Sequence, residues 1–284
     1  MSMVIENKNE KSVLIISLII SILSTYCAIR GFADENLYGS TISTGVFKMA
    51  YMAGTVSQDI ITIISSAIMI LLIVLYRKCK DIRIFISIIG LLSFYLYAYG
   101  TYVISVLYTS IYIVYMIIFT LSIFGVIMGV SGFAGKDVKR LCLPKWIRIA
   151  SGAFLSLIVC IFVPMWTISM IPYTQSHTVP DFFAIFVLDL CIVMPFFIAV
   201  IYMLVRNYKL VCILLGIALL KTTTLIMSVA IGEISVSAYG LEPDIAMIAI
   251  YGVITIFSLL LFVLYLLKIR YCVDYDKALP RNRR

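Results

Sequence analysis

The sequence has a single histidine, His177, and only 13% of its residues are charged. It contains no HExxH, no GxSxG and no cluster of His and Cys, so the common metal and nucleophile arrangements are missing. The chain therefore does not read as an enzyme, and nothing in it asks for a cofactor or a metal. Its 7 cysteines show neither a CxxC nor a metal-ligand spacing, which indicates no disulfide framework and no zinc site. Cys160, Cys191 and Cys212 fall inside apolar runs. Cys79, Cys142 and Cys272 lie beside basic joints and read as unmodified thiols rather than acylated ones.

What is present in quantity is hydrocarbon. Hydrophobic residues make up 63% of the 284, and the mean hydropathy is +1.12, far outside the composition of soluble domains. A helix needs about 20 mostly apolar residues to cross a hydrocarbon layer about 30 Å thick. Eight such runs are present, from Val13 to Ile29, Ile60 to Tyr76, Ile84 to Ser105, Ile111 to Phe133, Ile147 to Ile168, Phe183 to Val205, Leu210 to Ile231 and Ile245 to Leu267. The expectation is an all-α, polytopic helical bundle with eight transmembrane helices, forming one membrane domain over 1–284 whose partner is the lipid bilayer.

The net charge of +8 does not point to nucleic acid, because the cations are placed as topology signals. All Lys and Arg except Arg30, Lys48 and Lys221 fall in the two termini and in the connections after the second, fourth and sixth runs. Such a bias sets both termini in the cytoplasm of a cell-membrane protein. An even number of spans agrees with it. The first run is too long for the usual core of a secretory signal, and removing it would leave an odd number of spans, so it reads as a true span. Trp146 and Trp166, twenty residues and so about 30 Å apart on a helix, read as interfacial anchors of the fifth span.

The longest outer connection, residues 30–58, carries the polar stretch DENLYGSTISTG and reads as a cap over the outer face. A weak internal repeat joins residues 13–133 to 147–267: Asp59 is followed by Arg77 after 18 residues, and Asp189 by Arg206 after 17. Two parallel four-helix units, related by an axis along the membrane normal, would produce this spacing.

Ionisable groups inside a span cost about 2.5 to 3.5 kcal/mol at a helix centre and need partners. Asp189, in the sixth run, and Lys221, in the seventh, lie at similar depth on consecutive antiparallel spans, which predicts that they pair. Pro195, six residues after Asp189, frees a backbone carbonyl and bends the helix toward a polar interior. Other polar residues follow helical stripes: Lys221, Thr224 and Ser228; Asp59, Thr62 and Ser66; Tyr95, Tyr99 and Tyr102; Tyr108, Tyr112 and Tyr115. Their common depth predicts an outward-opening cavity lined with tyrosines, with Asp59 near its rim and Asp189 with Lys221 at its floor. The plainer readings are structural glue for the Asp189 and Lys221 pair, an interfacial belt for the tyrosines, a helix N-cap for Asp59, and solvated charges for Glu233, Glu242 and Asp244.

The segments LYG at 37–39, QDIIT at 58–62, YLYAYGTY at 95–102, the region of Tyr115, and LDLCIVMP at 188–195 followed by Lys221 resemble a family of uncharacterised bacterial multi-pass membrane proteins with no assigned activity. That family commonly has Gly before the Gln-Asp pair and Asn within the tyrosine cluster, where Ser57 and Ala98 stand here. The resemblance strengthens the choice of Gln58, Asp59, Tyr95, Tyr99, Tyr102, Tyr112, Tyr115, Asp189 and Lys221 as the candidate ligand or proton site, and it names no substrate. The functional expectation is a polar cavity for a small ligand or for proton-linked transport. The alternative is a sensor or assembly partner in which the charged pair is structural.

Overall fold

The computed structural model describes residues 7–34, 36–38, 50–133, 141–180 and 182–271. Eight helices are long and apolar enough to cross a membrane. They are α1 (Glu10–Ala33), α2 (Ala50–Cys79), α3 (Ile82–Ile104), α4 (Tyr112–Ser131), α5 (Lys145–Ser176), α6 (Phe183–Val205), α7 (Val211–Ser235) and α8 (Ile245–Lys268). The chain is an all-α, multi-pass membrane protein. Helices suit these residues because lipid offers no hydrogen bonds, so each span must satisfy its own backbone. The hydroxyls follow the same rule: Ser21, Ser122 and Thr222 each donate to the carbonyl four residues back at 2.7–2.8 Å, and so need no partner outside their own helix.

Two helices begin or end well beyond the apolar runs. α2 starts at Ala50, ten residues before Ile60, and α5 continues to Ser176, eight past Ile168. Hydropathy marks only the part of a helix that lies in hydrocarbon, whereas the hydrogen-bonded ladder runs on through flanking polar residues. One consequence is a correction: Asp59 lies in the interior of α2, buried to 2% exposure, and neither caps the helix nor sits at a rim.

The joints are tight. Lys80 and Asn207 adopt left-handed backbone (φ 52° and 56°) where α2 turns into α3 and α6 into α7. The Asp81 carboxylate then caps α3 by accepting from the Arg83 amide at 2.9 Å. Between α7 and α8 the helix tightens into a 3-10 turn, Val236–Tyr239, and stops at Gly240 (φ 74°).

α3 and α7 form the centre. About four-fifths of each apolar stretch is buried (78% and 83%), against 17% for α5 and α8 at the periphery. α3 packs on α2, α4 and α7; α1 packs on α2 and α4; α7 also packs on α2 and α8. Close approach uses small residues, the usual device where hydrophobic driving force is absent. At Gly216 of α7 a Cβ would come within 2.5 Å of the Tyr265 ring, whose hydroxyl donates to the Cys212 carbonyl at 2.8 Å. α5 and α6 pack on one another, and α6 makes only limited contact with α3 and α7. That looser side is where space remains.

The face that carries the start of α1 and the end of α8 is here the terminal face, and the opposite one the distal face. On the terminal face, Lys80 pairs with Glu10, Tyr76 donates to the same carboxylate at 3.2 Å, and Arg83 donates to the Ile269 carbonyl at 2.8 Å. A two-residue antiparallel pairing, Leu141–Cys142 with Arg270–Tyr271, joins the connection before α5 to the chain after α8. Cys142 is disulfide-bonded, which corrects its reading as a thiol; Cys27, Cys79, Cys160, Cys191 and Cys212 are free. Spacing gave no signal for it because its setting depends on a pairing between distant segments. Residue 35 and residues 39–49 of the expected outer cap lie outside the described residues, as does Cys272.

Candidate functional site

The site is built around an irregularity in α6. The helix is α-helical over Phe183–Leu188, widens into a π turn over Asp189–Val193, and resumes as α-helix at Met194. The Met194 amide donates to the Asp189 carbonyl, five residues back. Pro195 has no N–H, so the ordinary ladder cannot close onto Cys191, and one extra residue per turn is a compact way to pass the gap. Such π turns occur often at functional sites.

Asp189 itself is buried, with 6% exposure. One carboxylate oxygen, Oδ2, accepts from the Trp166 indole at 2.9 Å, while Oδ1 has no hydrogen-bond partner. Trp166 lies ten residues inside the distal end of α5 and turns toward α6. Its indole N–H is committed to Asp189 within the bundle. The Lys221 ammonium on α7, 5% exposed, lacks a hydrogen-bond partner as well. It sits 4.5 Å from the centroid of the Tyr97 ring and 5.6 Å from that of Phe197, within the range in which an aromatic face attracts a cation.

The expected direct ion pair is thus absent. Asp189 and Lys221 are electrostatic neighbours, and both line a small void of about 30 Å³ with Phe162, Phe197 and Thr222. A single water needs about 10–15 Å³ of such space and two or more polar partners. The void satisfies both conditions, so a water can link the carboxylate to the ammonium. Equal depth on antiparallel helices placed the two groups near each other, but the π turn and the aromatic seat of the ammonium hold them apart.

On its other side Asp189 lines a much larger cavity, about 420 Å³, in the distal half of the bundle between α2, α3, α5, α6, α7 and α8. This is within the range of small-molecule sites. Gln58, Thr101, Ser228 and Glu233 give it polar groups, and Tyr97, Tyr102, Phe162, Trp166, Phe182 and Tyr251 give it aromatic walls. Gln58 is held by a 2.9 Å bond from its amide to the Ala98 carbonyl.

The remaining candidates belong to a second, sealed cluster. Asp59 accepts from Tyr38 at 2.7 Å and from Tyr102 at 3.3 Å. Tyr95, Tyr99, Tyr102 and Tyr115 pack ring against ring at centroid distances of 5.1–6.5 Å. Tyr95 shares a hydrogen bond with Ser66 at 2.8 Å, and Tyr99 donates to the Ser24 carbonyl at 3.3 Å. Of the tyrosines expected to line the cavity, only Tyr102 does so. Tyr112 faces Tyr108 and donates to the Val103 carbonyl at 2.8 Å. Asp59 therefore stands beside the cavity and not at its rim.

Several participants were not singled out from the sequence. Tyr97 and Thr101, four residues apart, form a stripe on the side of α3 that faces α7, and that i, i+4 spacing was readable. Tyr38 and Gly31 were not readable as partners: at Gly31 a Cβ would stand 2.3 Å from Asp59 Oδ2 and 2.7 Å from the Tyr38 hydroxyl, a contact between three separate segments. Glu233 was taken for a solvated charge, yet it lines the cavity. Among the described residues no group of His, Cys, Asp and Glu is placed to hold a metal ion. No family model, curated protein or solved structure matches the chain.

Proposed function

We propose that the protein binds a small molecule in the 420 Å³ cavity from the outer side of the cell membrane, in the manner of a permease, with Asp189 as the anchoring group and Lys221 as its proton-exchanging neighbour. The observation that carries this reading is a roomy cavity lined by a buried carboxylate, one of whose oxygens has no hydrogen-bond partner. Intramembrane ionisable groups are costly, and one kept half-satisfied at the end of a cavity is better explained by a ligand or a proton than by packing. In this reading the basic terminal face is cytoplasmic, as the distribution of Lys and Arg favours.

The same reading treats the bundle as two four-helix units, 13–133 and 147–267. Their packing corresponds: α1 on α2 recurs as α5 on α6, α3 on α4 as α7 on α8, α1 on α4 as α5 on α8, and α2 on α7 as α6 on α3. Related units that rock about a central site provide alternating access in many transporters.

The test uses Ser228→Cys, with a membrane-impermeant thiol reagent added outside intact cells. Labelling is expected, together with slower labelling in the presence of at least one compound from a small-molecule panel. Failure to label, while Ser237→Cys in the distal joint labels readily, would refute an outward-opening cavity. Flux of a protecting compound into proteoliposomes then separates transport from sensing.

A further inference from the structure

The cavity has a sign. Two carboxylates line it, Asp189 at the deep end and Glu233 toward the distal face, and among the described residues no Lys, Arg or His does. Lys221 touches only the small void behind Asp189, where the rings of Tyr97 and Phe197 hold it. It offsets one of the two carboxylates and leaves the space net acidic. The walls are aromatic on several sides, since Tyr97, Phe162, Trp166, Tyr102 and Tyr251 come from three different helices. Aromatic faces carry negative potential, and when several of them surround a space with an acid at its end, they form the arrangement that receives ammonium groups.

We infer that the ligand is a small organic cation, a primary amine or quaternary ammonium compound with an apolar body, whose charged end meets Asp189 Oδ1 and the Trp166 ring. This rests on the proposed function of the cavity and adds the chemical class of its occupant. Oδ1 is the second, independent observation: it belongs to a side chain more than nine-tenths buried, has no hydrogen-bond partner, and lies on a residue that lines the cavity. A carboxylate oxygen in that state rejects an anion, gains little from an apolar or merely polar ligand, and is satisfied by an N–H donor or an onium charge. A carboxylic acid or phosphate ester would instead confront two acids with no cation among the described lining residues.

The protein itself supplies the reporter. Its two tryptophans are Trp166, at the cavity, and Trp146, exposed at the start of α5. In Trp146→Phe protein in nanodiscs of zwitterionic lipid, the Trp166 emission is followed while four probes of similar shape are titrated: phenethylamine, its N,N,N-trimethyl derivative, 2-phenylethanol and 3-phenylpropionate. The two cations are expected to bind at least about tenfold tighter than the alcohol, the size of one charge-assisted hydrogen bond or cation–aromatic contact, with the carboxylate weakest. Asp189→Asn should erase the preference, and Glu233→Gln should reduce it about twofold without depending on the fold of the first variant. Equal affinity for amine and alcohol, or tighter binding of the carboxylate, would overturn the assignment of charge while leaving the cavity as a binding site. No response to any probe would overturn both.

Discussion

Asp59 and Asp189 are both buried carboxylates in the distal halves of membrane-spanning helices, 18 and 17 residues ahead of an arginine. Their surroundings differ. Asp59 is gripped by two tyrosine hydroxyls, one on each oxygen, within a packed set of rings from α3 and α4 and beside the segment holding Tyr38. Asp189 accepts from Trp166 with the Tyr97 hydroxyl beside it, keeps Oδ1 without a hydrogen-bond partner, and lines both the small void and the large cavity. A carboxylate whose lone pairs are occupied by its own protein contributes to structure. One left partly unoccupied at the end of a cavity is available for chemistry from outside. The difference arises in the backbone, since α2 runs as regular α-helix past Asp59 whereas α6 loosens into a π turn at Asp189.

The largest expected effect separates the two acids directly. Asp59→Ala removes the acceptor that two buried tyrosine hydroxyls share and should lower stability by about 3 kcal/mol, whereas Asp189→Asn, which keeps an acceptor for Trp166, should change it by less than about 1 kcal/mol. Thermal unfolding in detergent checks both, and equal losses would erase the contrast. Next in size is Gly31→Ala, whose methyl group would overlap Asp59 Oδ2 and the Tyr38 hydroxyl. It should cost about 2 kcal/mol by overpacking. A neutral result would show that the sealed cluster is looser than described. The smallest effect has the opposite sign: Lys221→Met removes a buried ammonium that has no hydrogen-bond partner and should be neutral or stabilising by about 1 kcal/mol. A direct ion pair would instead lose about 3–5 kcal/mol on losing its cation. A loss of that size would place Lys221 in the structural class with Asp59.

The eight spans were legible because crossing hydrocarbon leaves a mark on composition that little else imitates. The limits of α6 at Phe183 and Val205 coincide with those read from hydropathy, whereas those of α2 and α5 do not, since their ends continue into polar sequence. Within the site, Asp189 and Lys221 stood out because charges in an apolar run are costly. Their partners were less visible. Trp166 reads as an anchor, with nothing in the sequence to show that its indole reaches Asp189, and Tyr97 differs from Tyr95 and Tyr99 only in the side of α3 it occupies. The separation of the tyrosines from the cavity was also hidden, because depth in the membrane says how far along a helix a residue lies and nothing about which neighbour it faces. The π turn has a sequence cause, Pro195, but proline alone does not distinguish a bend from an inserted residue.

Gln58 and Asp59 are consecutive, yet the first lines the cavity and the second belongs to the sealed cluster; Tyr102 spans the same partition, lining the cavity while its hydroxyl reaches Asp59 and the Thr55 carbonyl at 3.3 and 3.2 Å. In the proposed ligand-bound state a guest pressed against that phenol would load the weaker of the two bonds to Asp59, and the wall between the compartments would then pass occupancy of one to the helix that anchors the other.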